Sequence, residues 1–373
     1  MTPAKTQGQK ISPVIALLTE IKEEQGPDFG KVHSFCEELH QGVSELGGSF
    51  YVFSLKGFSD EGVEGFYYDD DEDDWKKGFL PFPNVIYNRI SSRRTEYSKG
   101  FKGFLNKLDS LGISIFNHRF LSKWEIHEFL MKEEHLHPYI PETQLFTEPV
   151  LESMLNHHDE LYIKPVHGSQ GRQIIQLVKD DGLIHASFST VQPKELPAFS
   201  SVKTLARALS NKVEKQQYII QQGIQLSELN GRRMDFRVLC HKNDQHFWKV
   251  TSIVARVSAE HYFVSNIARG GEVMRPAHTL SLIFGKEQAR QQLALMKELA
   301  LETAEAISQH AEGLTAELGI DIGIDIKGNL WLIEANSKPS KNFEDRGTKI
   351  RPSTKAIIEH CYGLFESHRP RGV

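Results

Sequence analysis

The sequence predicts an α/β protein whose C-terminal part turns to α+β, and three observations carry that expectation. Short apolar strands alternate with helical periodicity over about the first hundred residues, a strand, glycine loop and second strand follow at 161–178, and an alternating acidic hairpin lies at 320–336. A chain of 373 residues can bury two or three cores. The expected units are 1–118, 119–220 and 221–373.

Taken in order, 11–18 is an apolar strand, 31–46 an amphipathic helix, 49–55 and 84–87 further strands, 101–111 a helix and 113–116 a strand. The acidic block Asp69 to Asp74 lies inside 67–75, a segment expected to be a solvated loop. Ser122 has the chemistry to cap a helix over 122–132, and Pro138 and Pro141 prevent its continuation. Strands at 161–166 and 174–178 flank the glycine loop; 181–200 reads as loop or hairpin, 202–209 as helix and 217–221 as strand. Strands at 235–241 and 248–257, a helix at 289–312, the acidic hairpin and a helix at 353–365 complete the chain.

Composition bounds the function. Hydrophobic residues at 39% and charged residues at 25% suit a globular protein, and no run of about 18 apolar residues could span a bilayer. The net charge of −5 gives no general pull toward nucleic acid. Cys36, Cys240 and Cys361 are odd in number and far apart, and the polar Met1 to Lys10 lacks a secretory pattern, so a reducing, cytoplasmic setting is expected. Cys240 reads as strand filler, and His33, Cys36 and His40 as packing or surface positions on one helical face.

The hairpin carries the chemistry. If Asp325 pairs with Leu330 across the turn Lys327-Gly328-Asn329, an antiparallel ladder sets Asp321 opposite Glu334, with Asn336 on the same face. Opposed carboxylates repel unless a cation lies between them, and hard oxygen donors suit Mg²⁺; the alternative is an edge hairpin with solvated acids. Lys164 precedes a loop in which Gly168 and Gly171 let backbone amides approach an anion, or in which they serve only a turn. Arg237 shares a strand face with Asp235 and needs an anionic partner, either a phosphate or that aspartate. Asn266 to Gly271 places an Asn, Arg269 and paired glycines in one loop.

In this order the motifs resemble the ATP-grasp superfamily over roughly 113–345, and the Tyr87-Asn88-Arg89 and Gln-Gln-Gly-Ile segments make the chain similar to its YheC/YheD group of endospore coat-associated proteins. The resemblance implies an N-terminal α/β domain preceding two ATP-grasp subdomains, and ATP and Mg²⁺ as cofactors. Lys123 and Lys164 match the nucleotide-contacting lysines, and Gly168, Ser169, Gln170 and Gly171 the flap over the phosphates. Gln221, Gln222 and Ile224 match the adenine hinge, Arg237 a phosphate-side arginine, Asn266 and Arg269 the second loop, and Asp321, Glu334 and Asn336 the magnesium ligands. Two features depart from the family's pattern: Gln221 stands where an acid is frequent, and Lys338-Pro339-Ser340-Lys341 replaces the usual Pro-Gly.

The implied reaction joins a small-molecule or peptide carboxylate to an amine through an acyl phosphate, with Lys164 and Arg237 as catalytic groups. Two other classes share the architecture: a non-catalytic nucleotide-binding coat protein and a phosphotransferase. The basic stretch holding Lys338, Lys341 and Arg351 is either an anionic-substrate contact or a solvated loop. On the first reading Lys341 and Arg351 contact the acceptor.

Overall fold

The computed structural model describes residues 12–23, 26–168, 171–189, 194–259, 271–341 and 350–368. Its strands form three sheets. Val14–Leu18 lies inside the first, parallel to Ser49–Phe58 on one side and to Val85–Asn88 on the other, with Ser114–Phe116 continuing the parallel set. A strand covered on both faces must be apolar throughout, which accounts for the unbroken run Val-Ile-Ala-Leu-Leu. Ile15 and Leu17 meet the helix His33–Glu45 through Phe35 and Leu39, while Ala16 and Leu18 meet the helix Lys99–Ser110 through Phe101 and Leu108.

The segment 67–75, expected as a loop, is mostly strand. Val63–Asp69 and Asp74–Leu80 form an antiparallel hairpin at the edge of this sheet, so the acidic block supplies its turn and the paired strand ends Asp69 and Asp74. Tyr67, Tyr68 and Trp75 supply the β preference that the charge count obscured, and Trp75 packs edge-on to Phe29 at 4.9 Å.

The second sheet is antiparallel, ordered Lys194–Glu195, Leu183–Phe188, Ile175–Asp180, Glu160–Pro165, Tyr218–Gln222, Thr143–Leu145. Helices Glu148–His157 and Val202–Val213 cover the face bearing Leu161, Ile163, Tyr218 and Ile220. Tyr162, Lys164 and Gln221 alternate onto the other face. In the third sheet Arg232–Lys242 lies between Trp248–Val257 and Glu317–Ile324, which in turn pairs with Leu330–Asn336. Its apolar face, with Phe236, Val238, Ile320 and Ile322, packs on the long helix Lys286–His310.

The final helix, Pro352–Ser367, returns to the beginning of the chain. Ile357, Cys361 and Leu364 share a core with Ile15, Leu17 and Phe35. All three cysteines are buried and free, and burial pushes the thiol of Cys240 up. Among the described residues no helix is long and apolar enough to cross a membrane.

Candidate functional site

The acidic hairpin reaches the expected pairing by a different route. Asp321 stands opposite Glu334 and Gly319 opposite Asn336, but Ile324, rather than Asp325, pairs with Leu330. Asp325 is drawn into the turn, where its carboxylate accepts from the backbone amides of Lys327 and Asn329 and from the Trp331 indole. The register recovers through a bulge at Ile333. Strict alternation would put Leu332 and Glu334 on one face; the extra residue leaves Leu330 and Leu332 in the core while Glu334 and Asn336 line the cavity.

Asp321 is buried and held by two arginines. Arg237, on the neighbouring strand, donates to both carboxylate oxygens, with Nη2 to Oδ2 at 2.9 Å, and Arg256 Nη2 lies 3.0 Å from the same oxygen. Burial alone would raise the Asp321 carboxyl, but Arg237 and Arg256 hold it below the usual range. Arg256 in turn grips Asp235, directly across the ladder, through two 2.6 Å bonds. The aspartate expected beside Arg237 therefore serves Arg256, a residue the sequence reading missed. Its signal was a single cation in the otherwise apolar run 253–257, at the end of strand Trp248–Val257. Gly319 is required here: a Cβ would come within 2.7 Å of Pro339 and 3.3 Å of the Arg237 side chain.

Two lysines complete the cluster. Ser122 and Glu125 form a reciprocal cap that fixes the start of the helix Lys123–Leu130, and Lys123 donates from its first turn to the Gly168 carbonyl (2.8 Å) and Glu334 Oε1 (3.1 Å). Lys164 donates to Gln221, whose amide nitrogen bonds Thr143 at 3.0 Å. Burial lowers the Lys164 ammonium to about 8, although Glu334 and Asp321 favour its charge.

These groups line a cavity of about 660 Å³. Lys123, Lys164, Gly168, Gly171, Gln221, Gln222, Ile224, Arg237, Asp321, Glu334 and Asn336 all border it. Gly223 makes the hinge close: its amide bonds the Glu160 carbonyl at 2.7 Å, and a Cβ there would lie 2.5 Å from the Glu160 side chain. Ser169, Gln170, Asn266 and Arg269 lie outside the described residues.

The structure turns Lys341 and Arg351 inward. The Lys341 ammonium pairs with Glu317, although the residue still borders the cavity. Arg351 is not among the cavity-lining residues; its Nε meets Glu38 at 2.7 Å. A buried cation needs a carboxylate, and these were within reach. Glu317 also binds Arg89, Tyr87 and His241, and burial, which would raise it, is outweighed by Lys341, His241 and Arg89, which hold it well below the carboxylate range. The sequence reading did not single out Glu317.

As a metal site, Asp321, Glu334 and Asn336 offer only hard oxygen donors on one surface, which fits Mg²⁺. The described residues provide no cluster of three His, Cys, Asp or Glu that would suit another ion. Both carboxylates already face cations, so the acid pair is answered by arginine and lysine.

A family model described as YheC/D like ATP-grasp matches residues 112–364. The endospore coat-associated protein YheD of Bacillus subtilis (strain 168) is 30% identical over 318 residues, 82% of this chain and 67% of that relative. The endospore coat-associated protein YheC of the same strain is 24% identical over 351 residues, 91% of this chain and 94% of the relative. Among solved structures, D-cycloserine synthetase DcsG superposes with a TM-score of 0.56 at 11% identity, over 93% of this chain and 99% of that one. The D-alanine-D-alanine ligase from Coxiella burnetii does so with a TM-score of 0.52 at 10% identity, over 96% of each chain. These two likenesses establish a shared fold.

Proposed function

Since the chain belongs to the YheC/D-like ATP-grasp family, we propose that it is an ATP- and Mg²⁺-dependent carboxylate–amine ligase working through an acyl phosphate. One observation carries the reading. At the sheet end of the cavity, Lys123, Lys164, Arg233, Arg237 and Arg256 are five cations lining it with the three carboxylates of Asp235, Asp321 and Glu334 among the described residues, the last two opposed across the ladder. An excess of positive charge inside a low-dielectric cavity selects an anionic tail, and a charge-balanced acid pair admits a divalent ion chiefly when the tail comes with it.

In this reading Asp321, Glu334 and Asn336 would hold the Mg²⁺, which offsets repulsion between the triphosphate and an incoming carboxylate. Lys123, placed between the Gly168 carbonyl and Glu334, and Lys164 would contact the phosphates. The Gln221 to Ile224 hinge would meet adenine, and Arg237 would stabilise charge as the γ-phosphoryl group passes to the carboxylate oxygen. The amine then displaces phosphate. No protein nucleophile is called for. The units 1–118, 119–220 and 221–373 would serve as acceptor-side domain, flap-bearing subdomain and metal-bearing subdomain. Association with a spore coat rests on the names of the two relatives alone.

The test incubates the protein with ATP, Mg²⁺ and pools of carboxylates and amines, followed by mass spectrometry. ADP together with a product lighter by one water than its parents is expected. Absence of ADP from every pool would favour a non-catalytic nucleotide binder, and a stable phosphorylated product a phosphotransferase.

A further inference from the structure

Three successive carbonyls at the root of the glycine loop are held from outside the second sheet. Val166 accepts from the Lys123 backbone amide at 3.1 Å, His167 from the Arg93 guanidinium, and Gly168 from the Lys123 ammonium at 2.8 Å. The Gly168 amide turns back to the Pro165 carbonyl at 3.1 Å, so the chain bends sharply where the strand Glu160–Pro165 ends. A peptide group is planar, and anchoring its carbonyl fixes the direction of the whole plane. Consecutive anchored planes therefore set the direction in which the loop leaves its strand.

Lys123 belongs to the cluster that faces the metal hairpin, but Arg93 comes from the first sheet's side, on the short helix Arg93–Glu96 that follows the strand Val85–Asn88. That helix is clamped at both ends. At its start the Glu20 carboxylate accepts from the amides of Ser91 and Ser92 at 2.9 Å each. At its end the buried Glu96 accepts from the Asn88 side chain at 3.0 Å and from the Phe120 amide at 2.8 Å. Phe120 also stacks with the Arg93 guanidinium at 4.8 Å, and the Tyr97 ring stands edge-on to the His167 imidazole at 6.4 Å. Arg93 thus has a fixed base, a covered flat face and a donor committed to one loop carbonyl.

We propose that Arg93 is a positioning residue for the nucleotide's phosphates, acting through the His167 carbonyl to hold the root of the glycine loop in the direction that lets the loop meet them. The inference rests on the reading of that loop as the phosphate cover, and adds that the first sheet's side of the molecule helps to set the loop's path. A root fixed before the ligand arrives has less freedom to lose when loop and phosphates come together. The contribution is therefore made to the triphosphate and not to a nucleotide that ends at its first phosphate.

The test needs no turnover. The full chain is titrated by calorimetry with the β,γ-imido analogue of ATP and with AMP, each with Mg²⁺, and is digested briefly with trypsin without nucleotide to follow the cut after the exposed Arg172. The parent should prefer the ATP analogue. Arg93→Met keeps the stem against Phe120 and removes the donor; it should lower that preference about fivefold, leave AMP affinity within about twofold, and speed the cut after Arg172 about threefold or more. Arg93→Lys restores a donor and should bring the preference back to within about twofold of the parent. Arg94→Met removes a charge from an exposed position of the same helix and should match the parent within about twofold in both measurements. A lowered preference with unchanged cutting would make Arg93 a direct phosphate contact and overturn the positioning role, and an unchanged preference in a folded Arg93→Met protein would overturn it outright. A parent that binds AMP as well as the ATP analogue would remove the phosphate reading of the loop and the proposal with it, so the parent alone separates the two failures.

Discussion

At the sheet end of the cavity, charged side chains stand on adjacent strands of one sheet: Asp235 faces Arg256, Arg237 faces Asp321, and Asp321 faces Glu334. At the far end, Glu317 gathers Tyr87 and Arg89 from the first sheet, His241 from a neighbouring strand and Lys341 from beyond the hairpin. Asn117 adds to this junction, bonding the Glu317 backbone and the Ser337 carbonyl. Both arrangements pair their charges, but the first also lines the open cavity, whereas Glu317, Tyr87 and His241 do not border it. Charge at the sheet end therefore borders the cavity, whereas most charge at the far end secures the first sheet to the third.

The sharpest way to break this contrast is Glu317→Gln. The substitution leaves Lys341 and Arg89 buried around a neutral amide, and should cost about 3–5 kcal/mol in urea unfolding. Because the folded carboxyl is held below its unfolded value of 4.5, the stability it contributes is complete above that pH and lost as pH falls below it. The variant should lack that part of the acid dependence. Unchanged unfolding would mean that the junction is held by apolar packing alone.

Glu334→Gln sharpens the contrast from the other side. Its partner Lys123 is only partly buried, so stability should shift by about 1 kcal/mol or less. The Mg²⁺ enhancement of ATP-analogue affinity should instead fall about tenfold, as read by calorimetry with and without metal. An intact metal dependence would remove Glu334 from the site.

An effect of similar size is expected within the second sheet. Lys164→Ala should weaken ATP-analogue binding about tenfold, and the exposed Lys179→Ala by about twofold or less. Lys164 titrates at about 8 and attracts phosphate only when protonated, so parent affinity should decline as pH rises through that value. The decline should be absent in Lys164→Ala. Equal losses in the two variants would point to a general surface field.

Periodicity and turn chemistry made much of this legible. The run Ile320 to Ile324 announced which side chains face inward, Ser122 announced a helix start, and the glycine loop after Lys164 announced the pairing of the strands on either side of it, because each depends on residues close in sequence. The hairpin 63–80 was hidden, since a block of acids in its turn outweighed the aromatic residues of its strands. Local pattern also gave the opposition of Asp321 and Glu334, but not the bulge at Ile333 that turns Glu334 from core to cavity. That bulge follows from Asp325 being consumed by its own turn while Leu330 and Leu332 are held by the helix beneath. Tertiary structure alone decided the rest: Arg256 as keeper of Asp235 and Asp321, Glu317 as the junction carboxylate, and the return of helix 352–367 to the first core. Each joins residues tens to hundreds of positions apart, and a desolvated charge or apolar face takes whatever complementary partner folding brings near, which sequence spacing does not encode.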